Sequence, residues 1–224
     1  LLGYARRILE MNDAALAAVR RGPMAGEVRF GTVQDLAETL LPGALRRFAR
    51  AHPEVKVTVA VAGSAQLRAE VTRGAQDMAF VTSGPGDRRD GPRIEAPLMW
   101  IAGDGWQAAP NKPLPLAVID APCPFRNAAL QALDDAGLPW EIAMTSPSLP
   151  GVLAAVRAGL GITLRTALSL APGLCVPDAA LPGLDPDRVA FRLMAGAPLA
   201  PAAQALRAAV AEEARAGVRA LSME

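Results

Sequence analysis

The chain has 224 residues, a formal net charge of +1 at pH 7 and 51% hydrophobic residues. This length accommodates one large domain or two lobes with a substantial core. The near-neutral charge gives nucleic acid no basic field to bind, and no uninterrupted apolar run is long enough to span a bilayer. The N-terminal residues lack the apolar core of a signal peptide, so a cytoplasmic location is expected.

Residues 1–21 carry a helical pattern that begins without an N-cap, which predicts a linker helix continuing from an upstream domain. Asn12 lies on a seam of apolar side chains that recur at alternating spacings of four and three residues, namely Leu1, Ala5, Ile8, Ala15 and Val19. This seam predicts pairing with another chain, and the alternative is an amphipathic helix packed on its own domain. Residues 22–26 form a linker, because Gly22 and Pro23 end the helix.

Residues 28–81 alternate between strand and helix patterns. Strands are predicted at 28–31, 55–61 and 78–81, one helix runs to Ala51 and another runs from Gly63 to Arg73. Such alternation predicts a parallel sheet with helices on its faces. The turns that follow parallel strands meet in one crevice, so the short polar turns at 32–35 and 63–64 indicate a pocket for a small polar or anionic molecule.

The rest of the chain predicts a second alternating unit. Strands are predicted at 94–101, 116–119, 140–144, 162–164 and 188–194, and helices at 124–136, 149–158 and 201–220. The predicted fold class is therefore α/β, with two Rossmann-like lobes and a ligand cleft between them. Lobe I is assigned residues 27–97 and 195–224, and lobe II residues 98–194. Two crossing segments join the lobes and allow closure around a ligand.

No group of residues in the sequence indicates catalysis, a cofactor or a metal site. Cys123 and Cys175 lie in neither a CxxC nor a Cys–His spacing, which indicates reduced thiols. The single histidine, His52, precedes Pro53 in a predicted turn, and no G-x-S-x-G or phosphate-binding glycine pattern is present. We therefore expect no enzyme activity, no cofactor and no bound metal.

Seven short sequence motifs follow one another along the chain. They are Tyr4-Ala5-Arg6-Arg7-Ile8-Leu9, Gly26-x-Val28-x-Phe30-Gly31, Leu41-Pro42-x-x-Leu45-x-x-Phe48, His52-Pro53-x-Val55, Gly63-Ser64-x-x-Leu67, Val71-x-x-Gly74-x-x-Asp77-Met78-Ala79 and Ala154-Ala155-Val156-x-Ala158-Gly159-Leu160-Gly161-Ile162. Their order and spacing resemble the linker helix and effector-binding region of LysR-type transcriptional regulators. The resemblance covers nearly all of the chain. It implies two lobes of the type 2 periplasmic-binding-protein-like fold, with the family's winged helix-turn-helix domain absent.

The resemblance also implies a function. A small molecule, polar or carboxylate-bearing, binds between the lobes and shifts their arrangement, which repositions the DNA-binding domains through the linker helix. Homodimers or tetramers are expected, DNA is contacted only through the N-terminal domain, and no membrane partner is expected. The alternative is a solute-binding protein of a transport system, whose fold is closely similar.

Ligand-contact candidates in lobe I lie at the ends of its predicted strands. Ser64 opens a helix, where a hydroxyl and free N–H groups hold a carboxylate, and the alternative is an N-cap serine. Asp35 lies where LysR-type regulators often present a hydroxyl residue. It either caps its helix or selects a ligand with an amine or hydroxyl donor. Thr32 shares that turn, and Thr82 and Ser83 follow the third strand as ligand contacts or as an ordinary loop.

Candidates in lobe II lie near predicted helix starts and the lobe crossing. Phe125 and Arg126 open one helix, and Arg126 either pairs with a ligand carboxylate or forms a surface salt bridge. Ser146 and Ser148 open another helix, where Ser148 is either its cap or a hydrogen-bond donor to the ligand. Trp100 either walls the cleft or packs in the core at the hinge.

Overall fold

A computed structural model describes residues 25–84, 87, 91–196 and 198–221. Nine strands are found there: β1 (Gly26–Thr32), β2 (Val55–Val61), β3 (Met78–Thr82), β4 (Arg93–Gly103), β5 (Leu114–Ile119), β6 (Trp140–Ser146), β7 (Thr163–Thr166), β8 (Leu174–Cys175) and β9 (Arg188–Ala195). The helices are α1 (Gln34–Ala37), α2 (Leu41–Ala51), α3 (Ser64–Thr72), α4 (Pro124–Asp135), α5 (Leu149–Arg157) and α6 (Pro201–Leu221). The predicted linker helix at 1–21 lies outside the described residues, as does most of the linker at 22–26.

The elements follow the predicted order, with three differences, one of which is an unpredicted 3-10 turn at Ala167–Ser169. The single helix predicted up to Ala51 is divided into α1 and α2. Pro42 explains the new start, because proline lacks an N–H and favours the first turn of a helix, as it does in α2. The two-residue strand β8 was not predicted, since so short an element leaves no periodicity in the sequence.

The strands of lobe I form a parallel sheet, as the alternation predicts. Strand β1 pairs with β2 on one side and β3 on the other, both in parallel. Strand β9, which the predicted boundary assigns to lobe II, pairs in antiparallel fashion with β3 along residues 191–195. The α/β fold class is thus confirmed, while the lobe boundaries stay a prediction.

Strand β4 connects the two halves of the molecule. Its residues 93–97 pair with β9, its residues 98–101 pair with β7, and its last two residues pair with β8. Strands β5 and β6 pair in parallel, and a bridge between Leu116 and Ile162 ties them to the segment leading into β7. The continuous strand order β2-β1-β3-β9-β4-β7 therefore runs from one lobe into the other.

Three clusters of buried apolar side chains form the core between the strands and helices. The first contains lobe I residues such as Phe30, Phe48 and Phe80, and it also includes Phe125 and Phe191 from the predicted lobe II, all buried. The other two contain residues of lobe II: one includes Leu116 and residues of α4, and the other includes Ala117 and residues of α5. Because adjacent residues of a strand point to opposite faces, β5 supplies both clusters.

None of the helices within the described ranges is long and apolar enough to cross a membrane.

Candidate functional site

A cavity of about 240 Å³ lies at the carboxyl ends of β1 and β3, between residues of lobe I and residues of lobe II. Carboxyl ends of parallel strands are where open α/β sheets bind ligands, because polar turns and helix N-termini converge there. The lining residues are Val33, Gln34, Asp35, Ala62, Gly63, Ser64, Thr82, Ile119, Asp120, Ala121, Pro122, Cys123, Pro124, Phe125, Pro147 and Arg165.

An ion pair between Asp35 and Arg165 joins the two sides of this cavity. Arg165 Nη2 donates to Asp35 Oδ2 at 2.7 Å, and each side chain is only 3% exposed. Asp35 is the second residue of α1, and Arg165 lies within β7. The interpretation of Asp35 as an N-cap is therefore wrong: Val33 occupies the cap position, and the Asp35 carboxylate turns to an arginine 130 residues away.

Burial raises the pKa of the Asp35 carboxyl above its ordinary value, while the charge and hydrogen bond of Arg165 act in the opposite direction. Desolvation disfavours the charged form of a buried carboxyl, whereas a nearby guanidinium favours it. Asp35 Oδ1 and Arg165 Nε are buried without a hydrogen-bond partner among the described residues. These two atoms have almost no solvent-accessible area, so they lie behind the cavity wall and do not face the cavity.

The Phe125 ring also contacts the Arg165 guanidinium. The Arg165 guanidinium carbon lies 4.2 Å from the centroid of the Phe125 ring, a cation–π contact. Phe125 follows Pro124 at the start of α4 and is itself buried. Asp35, Arg165 and Phe125 thus form one connected group on the cavity wall.

Ser64 and Thr82 bond to each other at the lobe I side. The Thr82 N–H donates to Ser64 Oγ at 2.9 Å, and the Ser64 hydroxyl lies 3.1 Å from Thr82 Oγ1. Gly63 is the N-cap of α3, so the Ser64 hydroxyl does not cap that helix. The N-cap alternative for Ser64 is wrong, and its hydroxyl instead fixes the end of β3 beside the cavity.

Gln34 crosses the cavity with two hydrogen bonds. Its Nε2 donates to the Pro147 carbonyl at 3.0 Å, and its Oε1 accepts the N–H of Leu149 at the start of α5. A single side chain of α1 therefore binds two backbone groups of lobe II. Together with the ion pair, this contact joins the two lobes at the cavity.

An ionic cluster supports the end of β3 behind the cavity. Arg68 Nη2 donates to the Thr82 carbonyl at 2.6 Å and to Asp87 Oδ2 at 2.6 Å, and Arg192 lies 3.0 Å from the same carboxylate oxygen. The two guanidinium groups and the Gly84 N–H hold the pKa of Asp87 well below its ordinary value. Thr82 is therefore fixed through both its N–H and its carbonyl.

No group of three or more His, Cys, Asp or Glu side chains in the described part of the chain is placed to hold a metal ion.

Residues 21–215 match the family model described as the LysR substrate binding domain. The chain belongs to the LysR family. It is 35% identical over 189 residues to the HTH-type transcriptional regulator PecT of Dickeya dadantii strain 3937, in an alignment that covers 84% of this chain and 60% of PecT. The chain thus spans about 60% of the length of this relative.

Two solved regulatory domains have the same fold. The regulatory domain of HypT from Salmonella typhimurium superposes with a TM-score of 0.69 at 13% identity, covering 88% of this chain and 99% of that one. The regulatory domain of CcmR from Synechocystis PCC6803, solved in complex with 2-PG, gives a TM-score of 0.64 at 16% identity, covering 84% of this chain and 96% of that one. The type 2 periplasmic-binding-protein-like fold implied by the sequence resemblance is confirmed.

Four of the residues predicted from the sequence line the cavity of this LysR domain, namely Asp35, Ser64, Thr82 and Phe125. The structure brings them together from α1, α3, β3 and α4, which are far apart in the sequence. Their contact with a ligand stays a prediction.

The other predicted site residues do not line the cavity. Thr32 is fully buried, and the Ser83 N–H bonds to the Ala190 carbonyl in β9. Trp100 is buried in the cluster that includes Leu116 and residues of α4, and its indole N–H donates to the Pro182 carbonyl at 3.0 Å. The suggestion that Trp100 walls the cleft is therefore wrong, because its ring fills the core.

Three predicted residues of lobe II lie close to the cavity without lining it. Arg126 is partly exposed on α4, one position beyond Phe125. Ser146 and Ser148 flank the lining residue Pro147, and Ser148 is the cap of α5, since its Oγ accepts the Gly151 N–H at 3.1 Å.

Four lining residues that matter chemically were not predicted: Gln34, Asp120, Cys123 and Arg165. A signal for Arg165 existed, because a charged residue directly after the predicted strand 162–164 needs a counter-charge if the strand is buried. Its partner Asp35 was identified as a candidate for another reason, and no sequence rule joins two residues 130 positions apart.

Proposed function

We propose that this LysR region senses a small polar molecule in the cavity between its lobes. The observation that carries the proposal is that both lobes build one cavity and contact each other through Gln34 and the Asp35–Arg165 pair. Support comes from the regulatory domain of CcmR, which has this fold and was solved in complex with 2-PG. The family match also favours a regulator over a solute-binding protein of a transport system.

Ligand binding would act by changing the balance between lobe arrangements. A ligand shifts an equilibrium only by its difference in affinity for the two states. Here the contacts that hold the lobes together also line the cavity, so an occupant interacts with them directly. The change would pass through the linker helix to the DNA-binding domains of the full-length regulator.

The proposal also includes the oligomeric state and the cellular location of the protein. The region works in the cytoplasm as a homodimer or tetramer, and it reaches DNA only through an N-terminal domain. It acts as a sensor, because the relatives that this chain matches are transcriptional regulators.

A thermal-shift screen of metabolites on the 224-residue chain tests the proposal, since a ligand that binds the folded state raises its melting temperature. The best ligand is then titrated against Ser64→Ala, which removes a cavity hydroxyl. We expect a loss of affinity of about tenfold, the effect of one direct hydrogen bond. Arg126→Ala is the matched control, because Arg126 adjoins Phe125 but does not line the cavity.

A ligand whose affinity is unchanged by Ser64→Ala and reduced by Arg126→Ala would place the binding site elsewhere. A screen in which no metabolite stabilises the chain would contradict the sensing function itself.

A further inference from the structure

A second cavity, of about 520 Å³, lies between α4, the loop at residues 182–186 and the strands β4 and β9. It is larger than the cavity described above, and its volume falls within the range of roughly 300–1,000 Å³ that is usual for drug-sized ligands. Thr82, Pro124 and Phe125 line both cavities, so the two are neighbours.

Apolar side chains form most of the wall of this second cavity. Helix α4 presents Ala128 and Ala132, which are one helical turn apart, the strands present Leu98 and Val189, and the loop presents Leu184. All five side chains are only partly buried, so each leaves apolar surface open towards the cavity. Removing such surface from water is the main driving force for binding an apolar molecule.

Two hydrogen bonds fix the loop that forms one wall. The Trp100 indole N–H donates to the Pro182 carbonyl at 3.0 Å, and the Leu98 N–H donates to the Asp187 carbonyl at 2.7 Å. Both donors belong to β4, so the loop is attached to this strand at each of its ends. The cavity is therefore formed in advance, and little ordering of the loop opposes binding.

The charges at this cavity do not suit an ionic ligand. Among the described residues that line it none is basic, whereas Asp135 and Asp185 are acidic. A carboxylate or phosphate would lose its hydration there without gaining a counter-charge. Both acidic residues are exposed, so solvent screens their attraction for a cation, and Asp135 Oδ1 already accepts from Gln131 Nε2 at 2.8 Å.

We propose that this second cavity binds an uncharged and mainly apolar small molecule. The inference goes beyond the proposed sensing function, which concerns a polar ligand in the first cavity. An occupant of the second cavity would contact Phe125, whose ring centroid lies 4.2 Å from the guanidinium carbon of Arg165. The second ligand would therefore lie beside the ion pair that joins the lobes.

The first experiment titrates the full chain with N-phenylnaphthylamine, an uncharged dye whose fluorescence rises in apolar surroundings. The bound dye is then displaced by octanol or by octanoate, which share a carbon chain and differ in charge. We expect octanol to bind at least about tenfold tighter than octanoate, because the carboxylate must be desolvated. Each methylene added between hexanol and octanol should tighten binding about three- to fourfold. Absence of dye binding, or octanoate as tight as octanol, would overturn the inference.

The second experiment fills the cavity. Ala132→Leu adds carbon atoms to the cavity wall on α4, where leucine is well tolerated in a helix. It should weaken dye binding at least about fivefold, because its side chain takes the space of the ligand. Ala154→Leu is the matched control, since Ala154 is exposed on α5 and lines neither cavity. Ala128→Leu serves as the second filling variant should Ala132→Leu fail to fold.

Three outcomes separate this inference from its competitors. Equal dye affinity in a folded filling variant and in Ala154→Leu would place the dye elsewhere and refute the site. Dye affinity that weakens as the chain concentration rises would show that a second copy of the chain covers the cavity, which also refutes it. Ser64→Ala changes only the first cavity, so it should weaken a ligand from the metabolite screen and leave dye affinity unchanged.

Discussion

Replacing Arg165 by methionine is expected to destabilise the folded chain strongly. Both members of the Asp35–Arg165 pair are 3% exposed, so the variant leaves a carboxylate buried without its counter-charge. Breaking a buried pair by removing one partner costs about 3–5 kcal/mol. The lost contact with Phe125 adds to the effect, and proton uptake by Asp35 limits it.

The cost should depend on the partner left behind. Asp35→Leu strands the guanidinium and is expected to cost about 3–5 kcal/mol as well. The double variant Asp35→Leu/Arg165→Met leaves no buried charge, and replacing a buried pair by apolar residues is often nearly neutral. We therefore expect a coupling of at least about 2 kcal/mol in the double-mutant cycle.

Urea denaturation at pH 7 measures the four free energies of unfolding. Arg47→Met is the control, because Arg47 pairs with Glu212 and both side chains are 51% exposed, which predicts a loss of about 0–1 kcal/mol. If the loss in the double variant equals the sum of the single losses to within about 0.5 kcal/mol, the two charges are not coupled and the reasoning fails.

Three further predictions follow from other contacts. Gln34→Ala removes two hydrogen bonds between the lobes and should lower the free energy of unfolding by about 1–2 kcal/mol, with faster hydrogen exchange at the Leu149 N–H. Gly161→Ala would place a Cβ 2.5 Å from a backbone carbonyl oxygen and should cost about 1–3 kcal/mol in urea denaturation, whereas Gly183→Ala meets nothing within 4 Å and should be tolerated. The pKa of Asp87 is lowered in the folded state, so its carboxylate stabilises the fold above its ordinary pKa of 3.8, and this contribution is lost as the pH falls below that value. The free energy of unfolding of Asp87→Asn should therefore decrease less steeply in acid than that of the unmodified chain.

Periodicity was enough to predict most of the fold. Strand β2 occupies the predicted residues 55–61, and α4 and α5 differ from their predicted ranges by one residue at the C-terminus. These elements carry strong local signals: alternating valines in β2 and a proline in the first turn of each helix. The pairing of β9 with β3 had no such signal, because strand order is decided by tertiary packing.

The sequence could predict only those site residues whose own position in the chain indicates a role. Ser64 and Asp35 follow strand ends, and such positions converge in a parallel sheet whatever the rest of the chain does. Gln34 and Arg165 depend on a partner in the other lobe, so their roles appear only when the lobes are folded together. Trp100 was predicted as a site residue because it lies near the lobe crossing, but its indole N–H bonds to a carbonyl of lobe II and its ring packs in the core of that lobe.

The unsatisfied polar atoms of this chain indicate how stability and sensing are connected. Asp35 Oδ1, Arg165 Nε and the hydroxyl of the neighbouring Thr166 are buried without partners among the described residues. Each such atom costs about 1–3 kcal/mol relative to a satisfied one. A lobe arrangement that gave these atoms hydrogen-bond partners would regain part of that cost. Because the Asp35–Arg165 pair joins the two lobes, this energy contributes to the difference between lobe arrangements on which an effector would act.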